Sequence, residues 1–201
     1  METVLEKRSF TPRQAEEELL LVERAREGDR RAFDALVHTH FPRVYSLLFR
    51  LVGNHEDAED LAQECFVKAY RSLRWFRGDS RFGTWTYRIA VHLARDHRRA
   101  QGRRPAVDEL RAGLGDGLGD KARAPVDEMA GRELVGLVER AVQRLPERLQ
   151  VALVLRVLEG LDYDEVARVT GVTSSTARTH VMKARRELSR LLGPLLERRS
   201  S

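Results

Sequence analysis

Ten arginines against two aspartates crowd the stretch from Arg71 to Arg104, a local net charge of +8. Five aromatic residues, Trp75, Phe76, Phe82, Trp85 and Tyr87, lie among them. Guanidinium groups pair with phosphate, and an aromatic ring stacks on a base that has left the duplex. Residue types interleaved at this density point to a site for unpaired nucleic acid. The same composition also describes an ordinary amphipathic helix, with rings turned inward and arginines in solvent. Order and spacing have to separate the two readings.

The elements that carry these residues can be read from periodicity. Ala58, Leu61, Ala62, Cys65, Phe66, Ala69 and Leu73 fall at helical spacing, which makes one apolar stripe and leaves Asp57, Asp60 and Glu64 on another face. A turn-rich loop from Trp75 to Phe82 follows, with Trp75, Phe76 and Trp85 expected to be partly exposed around a pocket. A second helix runs from about Thr84 to Arg99. Before this unit, a helix over 14–27 stops at Gly28, and Asp29 caps a longer one with Phe33, Leu36, Val37, Phe41, Val44, Leu47, Leu48 and Leu51 on its stripe. Pro42 is expected to interrupt that helix, and Gly53-Asn54 to close it. His38 and His40 stand two apart, so their rings point to different faces, and with no nearby cysteine they make no metal site.

After Arg99 the pattern dissolves. Residues 105–128 hold two Pro and four Gly, with six acids against three bases, the composition of a flexible linker. GLGDGLG within it follows no strand and lacks the spacing of a nucleotide-binding loop. Helical period then returns. Leu134, Leu137, Val138, Ala141 and Leu145 mark one helix capped by Asp127, and Pro146 opens another that Gly160 terminates. Asp162 with Glu165 forms a capping box for a short helix, Thr170-Gly171-Val172 is a tight turn, and Thr173 or Ser174 caps a last long helix. Short helix, glycine turn and long helix is a helix-turn-helix pattern. Off the stripe of the last helix lie Ser175, Arg178, Thr179, Met182, Lys183, Arg185 and Arg186. Arginine there can bind guanine, and Thr or Met can touch a thymine methyl, in a major groove. Arg168 to Ser201 holds eight basic residues against two glutamates, which favours DNA over a merely solvated helix.

The whole chain agrees with these segments. At 201 residues, 42% hydrophobic and 33% charged, it has room for two small helical cores, and a net charge of +5 with a pI of about 9.8 fits an anionic partner. The single cysteine, Cys65, sits on an apolar stripe and reads as a buried inert thiol. With no run of transmembrane length and no signal peptide, a cytoplasmic protein is expected.

The string DAEDLAQECFVKAYRSLRWFRGDSRFGTWTYRIAVHLARDHRR, residues 57–99, resembles region 2 of the extracytoplasmic-function (ECF) sigma factors, the smallest promoter-recognition subunits of bacterial RNA polymerase. LPERLQVALVLRVLEGLDYDEVARVTGVTSSTARTHVMKARREL, residues 145–188, resembles their region 4. The resemblance implies an all-α fold of two small helical domains, 14–104 and 129–195, joined by the 105–128 linker, the second containing the helix-turn-helix. It implies that the face with Asp57, Asp60, Gln63 and Glu64 binds core RNA polymerase. It gives the unpaired −10 strand to Trp75, Phe76, Arg77, Phe82, Trp85, Arg88, His92 and Arg95, with a flipped base held by the 75–82 loop. The −35 duplex falls to Ser175, Arg178, Thr179, Met182, Lys183 and Arg185. Promoter DNA and an anti-sigma factor are the further partners implied, and neither cofactor nor metal is called for. Relatives often carry Asn at the position of His92, and imidazole offers a different donor and acceptor layout, so the base preferred here is open. Two rival classes fit less well. A helix-turn-helix activator or repressor that never joins polymerase leaves the basic aromatic loop unexplained. An enzyme would need paired carboxylates in a cleft, a nucleophile motif or a metal cluster, and the sequence shows none of these.

Overall fold

Asp29 joins the first two helices. Its carboxylate accepts hydrogen bonds from the N–H of Arg31 (2.9 Å) and Ala32 (3.2 Å), which caps α2 (Arg30–Val52). Arg24, near the end of α1 (Pro12–Arg26), donates to its other oxygen at 2.7 Å. The Arg24 hydrogen bond, helped by the Ala32 N–H, holds this carboxyl below its ordinary value. The structure, a computed structural model, describes residues 12–102 and 126–197, and of residue 12 and residues 126–134 and 194–197 the backbone only.

Helix α2 runs on through Pro42, where the sequence suggested an interruption. Leu36 and His40 before the proline and Val44, Leu47 and Leu48 after it are all buried, so packing on both sides outweighs the lost backbone bond. Gly53 ends α2 at φ 82°, and its N–H donates to the Phe49 carbonyl at 2.8 Å. Asn54 then accepts from the N–H of Glu56 and Asp57 and starts α3 (His55–Ser72), two residues ahead of Asp57. A single 3-10 turn (Leu73–Trp75) leads to the loop, and α4 (Phe82–Ala100) follows, beginning earlier than its periodicity indicated. The stripe predicted for α3 is buried as a set. Its small members, Ala58, Ala62, Cys65 and Ala69, are buried, as are Ala90, Val91 and Ala94 of α4, and the two helices pack on each other. Burial pushes the Cys65 thiol up to about 12, and its Sγ lies 3.5 Å from the Thr86 carbonyl, the surroundings of an inert thiol.

In the second unit α5 (Val126–Gln143) starts one residue before Asp127, so 126–128 are helical; the remainder of the expected linker, 105–125, lies outside the described residues. Helix α6 (Glu147–Leu153) continues into a π-helical turn (Val154–Leu158) that periodicity did not reveal. The capping box of α7 (Tyr163–Thr170) is formed as read, with Glu165 N–H to Asp162 at 2.8 Å and Asp162 N–H to Glu165 at 3.0 Å. Gly171 turns the chain at φ 74°, and Thr173 accepts from the Thr176 N–H to start α8 (Ser174–Glu197). The described residues form helices and no strand.

The two units pack on each other, α4 against α7 and α2 against α5. At the centre Gln150, fully buried, donates to the Arg50 carbonyl at 2.9 Å and accepts from Arg98 at 2.8 Å, while Arg98 also donates to the Leu51 carbonyl. Both ends of a buried amide are thus satisfied. Gln150→Leu keeps the approximate size of the side chain, removes the donor to the Arg50 carbonyl and leaves Arg98 with the Leu51 carbonyl, at an expected cost of about 1–3 kcal/mol. A lower urea midpoint would show this; an unchanged midpoint would mean that the contact carries no stability.

Candidate nucleic-acid interface

Three surfaces emerge from this frame. On α3, Asp60, Gln63 and Glu64 are exposed, while Asp57 is only partly so. Asp57 lies 3.3 Å from His97 and 3.4 Å from Gln101 of α4, and Glu64 pairs with Lys68 at 2.9 Å. Asp60 and Gln63 are therefore the freer ends of the set. Beside them runs an apolar groove of about 510 Å³, lined by Gln63, Phe66, Val67, Tyr70 and Arg71 and by Phe33, Val37 and Phe41 of α2. Val67 and Tyr70 are 48% and 44% exposed. Sequence reading passed over them, although apolar residues off the buried stripe of α3 were the available signal.

The second surface is the loop and the outer face of α4. Trp75 is 63% exposed, and the Arg74 guanidinium stands 3.7 Å over its ring. Arg77 is exposed. Phe76 and Phe82 depart from the expectation of an open aromatic pocket, being 6% and 1% exposed. Their rings pack with Trp85 at centroid separations of 4.9 and 5.6 Å, because the loop must close over the start of α4 and only apolar rings fill that space. They pack against Trp85 and each other and are not a stacking face. Trp85 is partly buried, Arg88 and His92 are exposed, and Arg95 follows at the same helical spacing, so these four make one stripe. Tyr87 points the other way. It is buried and donates to Glu159 at 2.7 Å, and desolvation followed by that carboxylate's charge raises its hydroxyl pKa well above the ordinary range.

Three carboxylates of the second unit meet the first, and one of them reaches this basic face. Glu147 accepts from Arg95 at 2.8 Å, Glu159 lies 3.5 Å from Arg50, and Glu165 accepts from Thr84 at 3.2 Å. Burial lowers the pKa of the Arg98 guanidinium behind them, against the pull of Glu147.

The third surface is the N-terminal half of α8. Ser175, Arg178, Thr179, Met182, Lys183 and Arg185 are all exposed, with Met182 at 65%, while Ala177, Val181 and Ala184 are buried beneath them. The Arg178 guanidinium lies 5.0 Å from the centroid of the Tyr163 ring. Among the described residues no three His, Cys, Asp or Glu side chains gather where a metal could sit. No described helix is long and apolar enough to cross a membrane.

Comparison with known proteins returns the same division. Residues 36–104 match the family model of Sigma-70 region 2, and residues 136–188 match Sigma-70, region 4. The RNA polymerase sigma-H factor of Pseudomonas aeruginosa is 41% identical over 90% of this chain and 96% of its own length. The ECF RNA polymerase sigma-E factor of Escherichia coli K12 is 41% identical over 89% of this chain and 96% of its own. Among solved structures, CnrH in complex with the cytosolic domain of CnrY superposes with a TM-score of 0.68 at 25% identity, over 89% of this chain and 98% of that one. With both conserved regions matched in order, and relatives aligned over nine-tenths of its length, the chain belongs to the ECF sigma factors, the promoter-recognition subunits that bind core RNA polymerase and help melt the −10 region.

Proposed function

We propose that the three surfaces divide the work of promoter opening. Asp57, Asp60, Gln63 and Glu64 dock on core polymerase, and the contact spreads from this acidic edge into the groove with Val67 and Tyr70. Trp75 and Arg77, with the Trp85, Arg88, His92 and Arg95 stripe, take the unpaired −10 strand, while Phe76 and Phe82 pack against Trp85. Ser175, Arg178, Thr179, Met182, Lys183 and Arg185 read the −35 duplex in the major groove. The chain works by binding and carries out no catalysis of its own. It acts in the cytoplasm, and family membership implies an anti-sigma factor as the controlling partner. The observation that carries the reading is Trp75: a large ring held 63% exposed under an arginine has no packing role to explain it.

Asp60→Arg combined with Glu64→Arg reverses charge across a partly desolvated contact and should weaken core binding by about tenfold or more. Native-gel or fluorescence titration with core polymerase measures it, and normal affinity would remove the assignment. Arg178→Ala with Lys183→Ala should leave core binding intact and abolish dependence on the −35 element, each lost base contact costing about 1–3 kcal/mol. Transcription from templates with and without that element decides it.

Stacking is worth about 1–3 kcal/mol per base, so Trp75→Ala should reduce open-complex formation by about tenfold. Opening would be compared on duplex promoter and on a template with a pre-melted −10 bubble, and the bubble is expected to restore part of the loss. Unchanged opening, or an equal loss of closed-complex binding, would contradict the role given to this ring.

A further inference from the structure

Helix α4 begins without a cap of its own. Arg81 occupies the N-cap position and makes no side-chain bond to the first turn. The first N–H groups of a helix have no intrahelical acceptor, and a buried one left unpaired is costly. Here the Phe82 N–H donates at 3.0 Å to Glu18 Oε1, which comes from α1, sixty-four positions earlier in the chain. The other oxygen of the same carboxylate lies 2.9 Å from His40 Nε2 of α2. Both side chains are enclosed, at 12% and 3% exposure. The His40 ring in turn rests on the backbone of α4. A Cβ placed on Gly83 would come within 3.2 Å of two of its atoms, and the ring centroid is 5.2 Å from that of Phe82. One carboxylate therefore ties α1, α2 and the first turn of α4 together, with negative charge at the positive end of the helix. Phe82 is also the ring on which Phe76 and Trp85 close.

We propose that Glu18 is a positioning residue for promoter opening. By capping α4 from α1, with His40 as its second anchor, it sets the orientation of the Trp75–Arg81 loop and of Trp85 toward the unpaired strand. Glu18 lies ahead of the residues matched to Sigma-70 region 2, so the working unit extends into α1. The inference rests on the reading of the Trp75 loop as the −10 surface.

The test uses the full chain bound to core polymerase, with a promoter obtained by mapping transcript starts after overexpression. Glu18→Leu removes the acceptor, Glu18→Gln keeps one at the same reach, and Glu18→Asp keeps the charge but withdraws it by one methylene. Binding of a single-stranded −10 oligonucleotide and the rate of open-complex formation are measured beside core affinity. Glu18→Leu should lose about tenfold in both DNA readouts, as expected for loss of a hydrogen bond to a charged group, while core affinity stays within about twofold. Glu18→Asp should fall between, and Glu18→Gln should stay near the unaltered protein. If Glu18→Leu fails to fold, the Glu18→Asp and Glu18→Gln pair carries the comparison. Equal losses in core and DNA binding, no loss with Leu or Asp, or a Gln variant as damaged as Leu would each overturn the proposal. Trp75→Ala run in parallel separates the two claims. An effect there with none from Glu18 overturns the positioning role alone, whereas none from Trp75 removes the reading beneath it.

Discussion

Helix α4 has to bury Phe82, Ala90, Val91 and Ala94 against α2 and α3, and that burial decides where its remaining side chains go. With 3.6 residues per turn, an inward stripe at these positions turns Trp85, Arg88 and His92 outward. The alanines of α3 and α4 exact a close approach, because a larger side chain at either would separate the helices and rotate the basic face away. Arginines that would repel one another in a core thus line a surface, and the loop closing on Phe82 lifts Trp75 out of it. The chemistry of the face follows from packing on the far side of the same helix.

The second unit depends on that helix as well. Its carboxylates Glu147, Glu159 and Glu165 meet Arg95, Arg50 with Tyr87, and Thr84, and Gln150 seals the join. Beneath these bonds α4 lies against α7. The partly exposed Arg95–Glu147 pair is individually weak and is screened by salt, whereas Glu159 and Gln150 are enclosed at the join. Arg95 holds Glu147 through Nε at 2.8 Å.

Much of this was legible in the residues. The α3 stripe, the cap at Asp29, the capping box of Asp162 and Glu165, and the exposed set on α8 all follow from local rules, where a side chain a few positions away supplies the partner. The parts that were not legible depend on distant partners. Phe76 looked like an exposed ring because nothing near it in sequence announces that Phe82 and Trp85 close over it. His40 looked like half of an idle pair with His38, since its partner Glu18 is a full helix away. Pro42 was overruled by burial on both flanks, and the π-helical turn before Gly160 leaves no mark on the apolar period. The groove beside Gln63 arises from two helices together and belongs to neither one's sequence.

The central claim is that unpaired −10 bases meet the Trp75 to Arg95 face while the −35 duplex meets α8. Site-specific photo-crosslinking in the open complex, with probes in the non-template −10 strand and in the −35 duplex, tests it in one experiment. Crosslinked peptides are identified by mass spectrometry. The account predicts that the −10 probes mark residues 74–95 and the −35 probes mark residues 175–186. Crosslinks from the −10 strand confined to α8, or none to the loop and α4 in a complex that is demonstrably open, would contradict it.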